Sequence, residues 1–134
     1  METLYQEFKD IAEFRLIYIK EAHALSDIGT PVDYAREKEI HQATDLNQRC
    51  ATAKRLIDDN QLTLPTLVDN MNNEADAAYD AHPDRVFLIR TDGRVGVSGA
   101  PGAEGFKPGL EQVEKWLTQF REDCAEPPLN LAGE

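Results

Sequence analysis

The chain has 134 residues, of which 41% are hydrophobic and 29% charged, a balance typical of one globular domain with a single core. Its formal net charge of −11 disfavours nucleic acid and anionic membranes as partners, because binding phosphate requires clustered Lys and Arg. We find no apolar run long enough for a transmembrane helix and no signal-peptide pattern, so we predict no membrane span and a cytoplasmic protein. Two cysteines make no disulfide framework, which agrees with a reducing compartment.

The first third of the chain predicts a helix, a strand and a long loop. Apolar residues at helical spacing predict a helix over residues 2–11. The run over residues 14–19 is apolar and rich in β-formers, which indicates a buried strand. Residues 24–44 show no clean period, so we expect a long loop with at most one helical turn. Long loops inside compact domains are often functional.

The middle of the chain predicts a helix over residues 45–59, with Thr44 or Asp45 as its N-cap. Cys50 falls on the apolar stripe of this helix and Arg49 on the opposite, solvent-facing side. We therefore expect Cys50 to be buried and chemically inert.

A strand, a short helix and a hairpin are predicted next. Pro65 opens a short apolar strand over residues 66–69, and residues 74–79 favour a short helix. The apolar runs at 85–90 and 95–98 flank an Asp-Gly dipeptide, which is a strong hairpin signal.

The last part of the chain predicts a loop and a closing helix. Residues 98–108 are rich in Gly and Pro and predict a loop, and residues 108–122 predict a helix. Cys124 continues the apolar stripe of this helix, so burial is expected for it too. We assign residues 1–124 to one domain and residues 125–134 to a flexible tail.

The predicted element order is that of an α/β protein. A βα crossover, a hairpin and a closing helix are typical of a thioredoxin-like, three-layer fold. A complete fold of this kind has one more strand before the first helix. We therefore expect a mixed sheet of about four strands, with the first strand missing.

Glu21 and His23 are the main candidates for chemistry. They lie two residues apart after a predicted strand, so both side chains point to one face if the strand extends that far. A carboxylate beside a histidine suits a proton relay. The alternative is a surface histidine that happens to follow a glutamate. His41 is likewise either a ligand-binding residue or a solvated loop histidine.

The segment Tyr18-Ile19-Lys20-Glu21-Ala22-His23 resembles the Tyr-Ile-x-Glu-Ala-His motif of the iodothyronine deiodinases and their bacterial relatives, a thioredoxin-like selenoprotein family. Leu46-Asn47-Gln48-Arg49, which follows His41, is similar to a second pattern of that family, Leu-x-x-Arg after a histidine. The resemblance implies that Glu21 and His23 deliver protons and that Tyr18, His41 and Pro65 contact substrate, with Pro65 as a cis-proline beside the active site. The structural alternative for Pro65 is a trans proline that opens a strand.

The comparison with the family also shows departures. The family's Cys or selenocysteine nucleophile has no counterpart before the first helix, and no arginine lies between Arg94 and Arg121 to hold a thyronine. We therefore expect a deiodinase-like oxidoreductase fold that is inactive as this chain stands. The alternative is a non-catalytic thioredoxin-fold binding module.

The remaining expectations concern ligands and assembly. We expect no cofactor, and the histidines lack metal-ligand spacing, so we expect no metal site. The partners implied by the resemblance are a small aromatic or halogenated substrate and a thiol reductant. A strand edge left open by the missing strand predicts a homodimer, or an N-terminal helix that covers the gap.

Overall fold

The structure, a computed structural model, describes residues 1–25 and 33–125. Helices and short strands alternate along these residues. In chain order they are α1 (Glu2–Phe8), β1 (Leu16–Tyr18), α2 (Asp33–Lys38), α3 (Leu46–Asp59), β2 (Thr66–Val68), α4 (Glu74–Tyr79), β3 (Phe87–Ile89), β4 (Val95–Ser98) and α5 (Ala103–Ala125). The predicted helices and strands are thus present, and the six-residue α2 lies in the long loop, where one helical turn was expected.

The boundaries of three helices differ from the prediction: α1 ends at Phe8 rather than at residue 11, and the starts of α3 and α5 also differ. Asp45, one of the two candidate caps, is the N-cap of α3, which begins at Leu46. Its side chain accepts a 2.9 Å hydrogen bond from the Gln48 backbone N–H. Helix α5 begins at Ala103 rather than near Pro108, because the Phe106 N–H already bonds the Gly102 carbonyl at 2.8 Å. Pro108 lies inside the helix, where its missing N–H removes one bond from the ladder.

The strands form two pairs. Strands β1 and β2 are parallel, with Ile17 opposite Leu67, and β3 and β4 are antiparallel, with Leu88 opposite Val97. No ladder joins the two pairs within the described part of the chain, so the predicted mixed sheet is present as two separate two-stranded sheets. Gly93, with φ of +79°, makes the hairpin turn, as the Asp-Gly signal predicted.

One apolar core joins the hairpin to α1 and α5. Phe8 is its most deeply buried large side chain, at 1% exposed, and the Arg121 guanidinium lies 4.4 Å from the centre of its ring. Tyr5 meets Phe14 edge-to-face, with ring centroids 5.6 Å apart. The buried members of the core are Leu4, Phe8, Phe14, Val86, Leu88, Val97, Val113 and Leu117.

Helix α5 approaches the end of β4 through two glycines. A Cβ placed on Gly109 would lie 2.5 Å from Cγ1 of Val86 and 3.1 Å from Cα of Gly99. The helix therefore has no room for a side chain at position 109, which lies against both the Val86 side chain and the Gly99 backbone.

The prediction of a cis Pro65 is wrong. The cis X-Pro bond of the described residues is His82–Pro83, before β3. Pro65 continues the parallel β1–β2 ladder, because its carbonyl accepts a 2.9 Å hydrogen bond from the Leu16 N–H. The interpretation of Pro65 as a strand-opening residue fits this geometry.

The prediction that both cysteines are buried is also wrong. Cys50 and Cys124 are exposed free thiols. The buried face of α3 is formed by Arg49 and Ala53, which turns the neighbouring Cys50 outward. Cys124 lies in the last turn of α5, beyond the residues of that helix that reach the core.

Parts of two predictions lie outside the described residues. The predicted long loop includes residues 26–32, and the predicted tail belongs to residues 126–134 apart from Ala125, which ends α5. In residues 1–25 and 33–125, no helix combines the length and the apolar character that crossing a bilayer requires.

Candidate functional site

A narrow cleft lies at the carboxyl end of β1, the end of a parallel strand at which ligands bind in open α/β sheets. One wall is the end of β1 and the residues after it, and the opposite wall combines the segment before α3 with α3 itself. As the structure stands, the cleft has no room for a water-sized sphere. Its lining residues are Tyr18, Ile19, Lys20, Glu21, His41, Gln42, Ala43, Arg49 and Thr52.

Tyr18 and Glu21 form the central polar pair of the cleft. The Tyr18 hydroxyl donates a hydrogen bond to Oε1 of Glu21, and both side chains are half-buried. A phenol that donates to a carboxylate fixes its orientation and stabilises its ionised form. The pair is therefore arranged to hold a proton acceptor at a defined place in the cleft.

The segment that carries His41 is joined to the segment that carries Glu21. The Gln42 side-chain amide donates from Nε2 to the Glu21 carbonyl, and its Oε1 accepts from the Glu21 N–H at 3.3 Å. The Leu25 N–H bonds the Ile40 carbonyl at 2.8 Å. Sequence reasoning missed Gln42, because a glutamine in an irregular stretch gives no periodic signal.

Arg49 forms the floor of the cleft and is only 4% exposed. Its Nη1 donates to the carbonyls of Asp69 and Asn70, at 3.2 Å and 2.6 Å, at the carboxyl end of β2. The prediction that Arg49 faces solvent is therefore wrong. Its guanidinium is buried because these carbonyls accept its hydrogen bonds inside the protein. The match to the Leu-x-x-Arg pattern was the signal that pointed to it.

Asp69 holds the start of α4 beside the cleft. Its carboxylate accepts from the backbone N–H groups of Ala75 and Asp76, both at 3.0 Å. Burial alone would raise the pKa of Asp69, but these N–H donors, that of Asn70 and the Arg49 charge together outweigh burial and lower it. Asp69 is thus a buried, ionised anchor.

Lys20 extends this polar framework to the end of β1. Its ammonium lies 3.2 Å from the carboxylate of Asp76, which is buried on α4. The ends of β1 and β2 and the start of α4 are therefore connected by charged side chains rather than by apolar packing.

The structure brings together only some of the predicted site residues. Tyr18, Glu21 and His41 line the cleft, whereas His23 is exposed outside it. Strand β1 ends at Tyr18, so the argument that Glu21 and His23 share a strand face does not apply. Pro65 lies at the opposite end of the β1–β2 pair, beside Leu16, and does not reach the cleft.

The cleft contains no thiol. Cys50 and Cys124 are absent from its lining, and the sequence has no other cysteine. Among residues 1–25 and 33–125, no three His, Cys, Asp or Glu side chains are grouped as metal ligands. The described side chains therefore offer acid–base groups and hydrogen bonds.

Helices packed on short parallel and antiparallel strand pairs, with a polar cleft at the carboxyl end of a strand, make this an α/β protein, and the family that its sequence matches is thioredoxin-like. The sequence profile of the family described as iodothyronine deiodinase matches residues 1–121. The chain belongs to the iodothyronine deiodinase family, an oxidoreductase family, as the sequence motifs predicted.

Individual relatives agree with this assignment. The chain is 34% identical to thyroxine 5-deiodinase of Gallus gallus over 124 residues, which are 92% of this chain and 45% of that protein. It is 35% identical to type I iodothyronine deiodinase of Xenopus laevis over 107 residues, 78% of this chain and 39% of that protein. It is 30% identical to type II iodothyronine deiodinase of Homo sapiens over 118 residues, 85% and 41% of the two chains. The chain thus spans less than half the length of these relatives.

Proposed function

We propose that the cleft is the proton-handling part of a reductive dehalogenation site for a small halogenated aromatic compound. Glu21, held by the Tyr18 hydroxyl, is the proton donor and acceptor. The exposed His41 contacts the substrate at the mouth of the cleft, because the cleft itself has no room for a water-sized sphere. His23 exchanges protons with solvent at the rim. The observation that carries the proposal is the Tyr18–Glu21 hydrogen bond inside a cleft that His41 also lines, in a chain of the deiodinase family.

The chemistry defines what these residues must do. Reductive removal of iodine breaks an aryl C–I bond and forms an aryl C–H bond. A thiolate or selenolate attacks the iodine and takes it as a sulfenyl or selenenyl iodide, and the carbon that is left receives a proton. A thiol reductant then displaces iodide and forms a disulfide or selenenyl sulfide. Glu21 and His23 supply the proton, a contribution of about 10²–10⁴-fold in rate.

We also propose that the 134 residues by themselves do not turn over such a substrate. The covalent step needs an activated thiolate or selenolate in contact with the halogen. Cys50 and Cys124 are exposed on helices and do not line the cleft. Acid–base groups alone cannot replace the nucleophile that accepts the iodine.

The test separates binding from turnover in the purified 134-residue protein. Iodide release from an iodinated thyronine is measured in the presence of dithiothreitol, and binding is measured by NMR shifts of the histidine side chains. We expect binding without iodide release. His41→Ala and Glu21→Gln should weaken binding, and His82→Ala is the matched control, because His82 does not line the cleft.

Two results would contradict the proposal. Iodide release that persists after Cys50→Ser and Cys124→Ser would show that the chemistry lies elsewhere. Binding that is unchanged in both His41→Ala and Glu21→Gln would place the substrate outside the cleft.

The alternative is a non-catalytic binding module that uses the same cleft. The observation that favours it is the absence of a thiol from the lining. Failure of iodinated thyronines and iodophenols to bind the folded protein would support this alternative.

The proposal also includes a cytoplasmic setting, supported by the few cysteines, and a homodimer, supported by the exposed Ile17 and Leu67 on adjoining strands. Light scattering that shows a monomer would remove the dimer.

A further inference from the structure

We infer that Gln42 is a positioning residue of this site: its side-chain amide fixes the Glu21 backbone and so sets the segment of Glu21 and His23 against the segment of His41. The inference deepens the proposed function and rests on it for its catalytic meaning. The contact itself, which we call the Gln42 latch, is defined by the two hydrogen bonds between the Gln42 amide and the Glu21 backbone.

The latch takes the place of a strand partner. Strand β1 ends at Tyr18, so Glu21 lies beyond the described ladder, where its half-buried N–H and C=O groups still require hydrogen-bond partners. The Gln42 amide presents a donor and an acceptor side by side, as a peptide group does, and bonds both the carbonyl and the N–H of Glu21. One side chain thereby holds one residue's backbone at two points.

A second bond makes the arrangement directional. The Leu25 N–H bonds the Ile40 carbonyl at 2.8 Å, so residue 21 faces residue 42 and residue 25 faces residue 40. The two segments therefore run antiparallel. His23 and His41 lie between these two connections in their respective segments.

Only one of the two connections depends on a side chain. The Leu25–Ile40 bond joins backbone atoms and is anchored by Ala24 and Ile40, which are buried. Gln42 is half-buried and adds no charge to a cleft whose ionisable lining groups are Tyr18, Lys20, Glu21, His41 and Arg49. A substitution at position 42 therefore removes the side-chain bonds of the latch and leaves the Leu25–Ile40 backbone bond in place.

The first test is Gln42→Met, which keeps the approximate volume and removes both hydrogen-bonding groups. Amide hydrogen exchange should show the protection of the Glu21 N–H falling by roughly fivefold to tenfold, the effect of one lost hydrogen bond. The Asp69 N–H, which bonds the Tyr18 carbonyl at 2.9 Å, should keep its protection. The NMR signals of His23 and His41 should shift, and those of His82 should not.

Gln119→Met is the matched control. Gln119 is exposed on α5, far along the chain from the cleft, and its side-chain amide donates to Asp123 at 2.9 Å. This variant should therefore leave the exchange of the Glu21 N–H unchanged. A folded Gln42→Met protein with wild-type exchange at Glu21 and wild-type histidine signals would overturn the inference.

The second test is Gln42→Glu, which makes the latch dependent on pH. A protonated carboxyl both donates and accepts, as the amide does, whereas a carboxylate only accepts and faces the Glu21 carbonyl. An ordinary glutamate carboxyl titrates near about 4.3. Protection of the Glu21 N–H should therefore equal that of the wild type at about pH 3. Above about pH 6 it should fall, but stay above that of Gln42→Met, because the carboxylate still accepts from the Glu21 N–H while it repels the Glu21 carbonyl.

The pH test also decides the matter if Gln42→Met does not fold, because Gln42→Glu should behave as the wild type only when its new carboxyl is protonated and both bonds are restored. A Gln42→Glu protein whose Glu21 protection differs from wild type by the same factor at both pH values would overturn the inference. Neither measurement uses a ligand or turnover, so failure of the latch and failure of the proposed function are separate results.

Discussion

The hairpin end of the molecule and the cleft end are stabilised by different kinds of contact. At the hairpin end, β3, β4, α1 and α5 share one apolar cluster. At the cleft end, the end of β2 is held by Arg49, Asp69 and Asp76, which are the buried charged residues of the described chain. Apolar packing therefore stabilises the hairpin end, whereas hydrogen bonds between backbone groups and buried charged side chains stabilise the cleft end.

The largest expected effect tests the apolar core at the hairpin end. Phe8→Ala should lower the free energy of unfolding by about 3–5 kcal/mol, because it removes a fully buried ring and leaves a cavity. Urea denaturation measures the change. Phe120→Ala is the control, since Phe120 is partly exposed and stacks on Trp116 at 5.2 Å. Equal losses for the two variants would contradict the distinction between core and periphery.

The next effect tests the buried charged residues at the cleft end. Arg49→Met should cost about 2–4 kcal/mol, because it removes the buried guanidinium that donates to the carbonyl of buried Asp69 and to that of Asn70, which keeps its bond from the Asn73 N–H. Lys54→Met on the same helix removes only an exposed ion pair and should cost less than about 1 kcal/mol. If both variants unfold at the same urea concentration, buried charge does not stabilise the cleft end.

Asp69→Asn should have an intermediate effect that depends on pH. At pH 7 we expect a loss of about 1–3 kcal/mol, since the amide cannot accept from both N–H groups of α4 as the carboxylate does. The pKa of Asp69 is lowered in the folded protein, so its contribution is present above the ordinary value of 3.8 and is lost as the pH falls below it.

The measurement for Asp69 is the difference in unfolding free energy between wild type and variant at pH 7 and at pH 3. The difference should shrink at the lower pH. The exposed Asp84 provides the control substitution, Asp84→Asn. A difference that grows on acidification would show that the folded carboxyl is not the stabilised, ionised form.

The smallest effect concerns Glu2, which is exposed and links α1 to the loop before β2. Hydrogen bonds from the side chains of Gln6 and Thr63, then from the Thr63 backbone, lower the pKa of Glu2 from 4.5 to about 2. Its contribution to stability is present above pH 4.5 and should be lost as the pH falls towards 2. NMR titration of the Glu2 carboxyl measures this, and Glu2→Gln should remove that part of the pH dependence. A midpoint near 4.5 would refute it.

The same contrast explains what the sequence could predict. The hairpin, the core helices and the cap of α3 follow from periodicity, an Asp-Gly turn and Asp45, all of which act locally. The cleft depends on contacts between distant segments, such as Arg49 with the end of β2, so periodicity placed Arg49 in solvent.

Motif resemblance succeeded where periodicity failed. It selected Tyr18, Glu21 and His41, which line one cleft, although neither spacing nor composition relates them. It did not give Gln42, whose role depends on backbone geometry. It also placed the cis bond at Pro65, because a proline before a short apolar strand occurs twice in this chain, at Pro65 and at Pro83.

The close approach of Gly109 on α5 to Gly99 after β4 is one of the contacts that hold the long helix. A Cβ at position 109 would collide with Cγ1 of Val86 at 2.5 Å and with Cα of Gly99 at 3.1 Å. Twelve residues further along α5, or roughly 18 Å at 1.5 Å per residue, Arg121 bonds the Glu7 carbonyl of α1. The same helix thus contacts the hairpin through Gly109 and α1 through Arg121, and the first of these contacts excludes a Cβ.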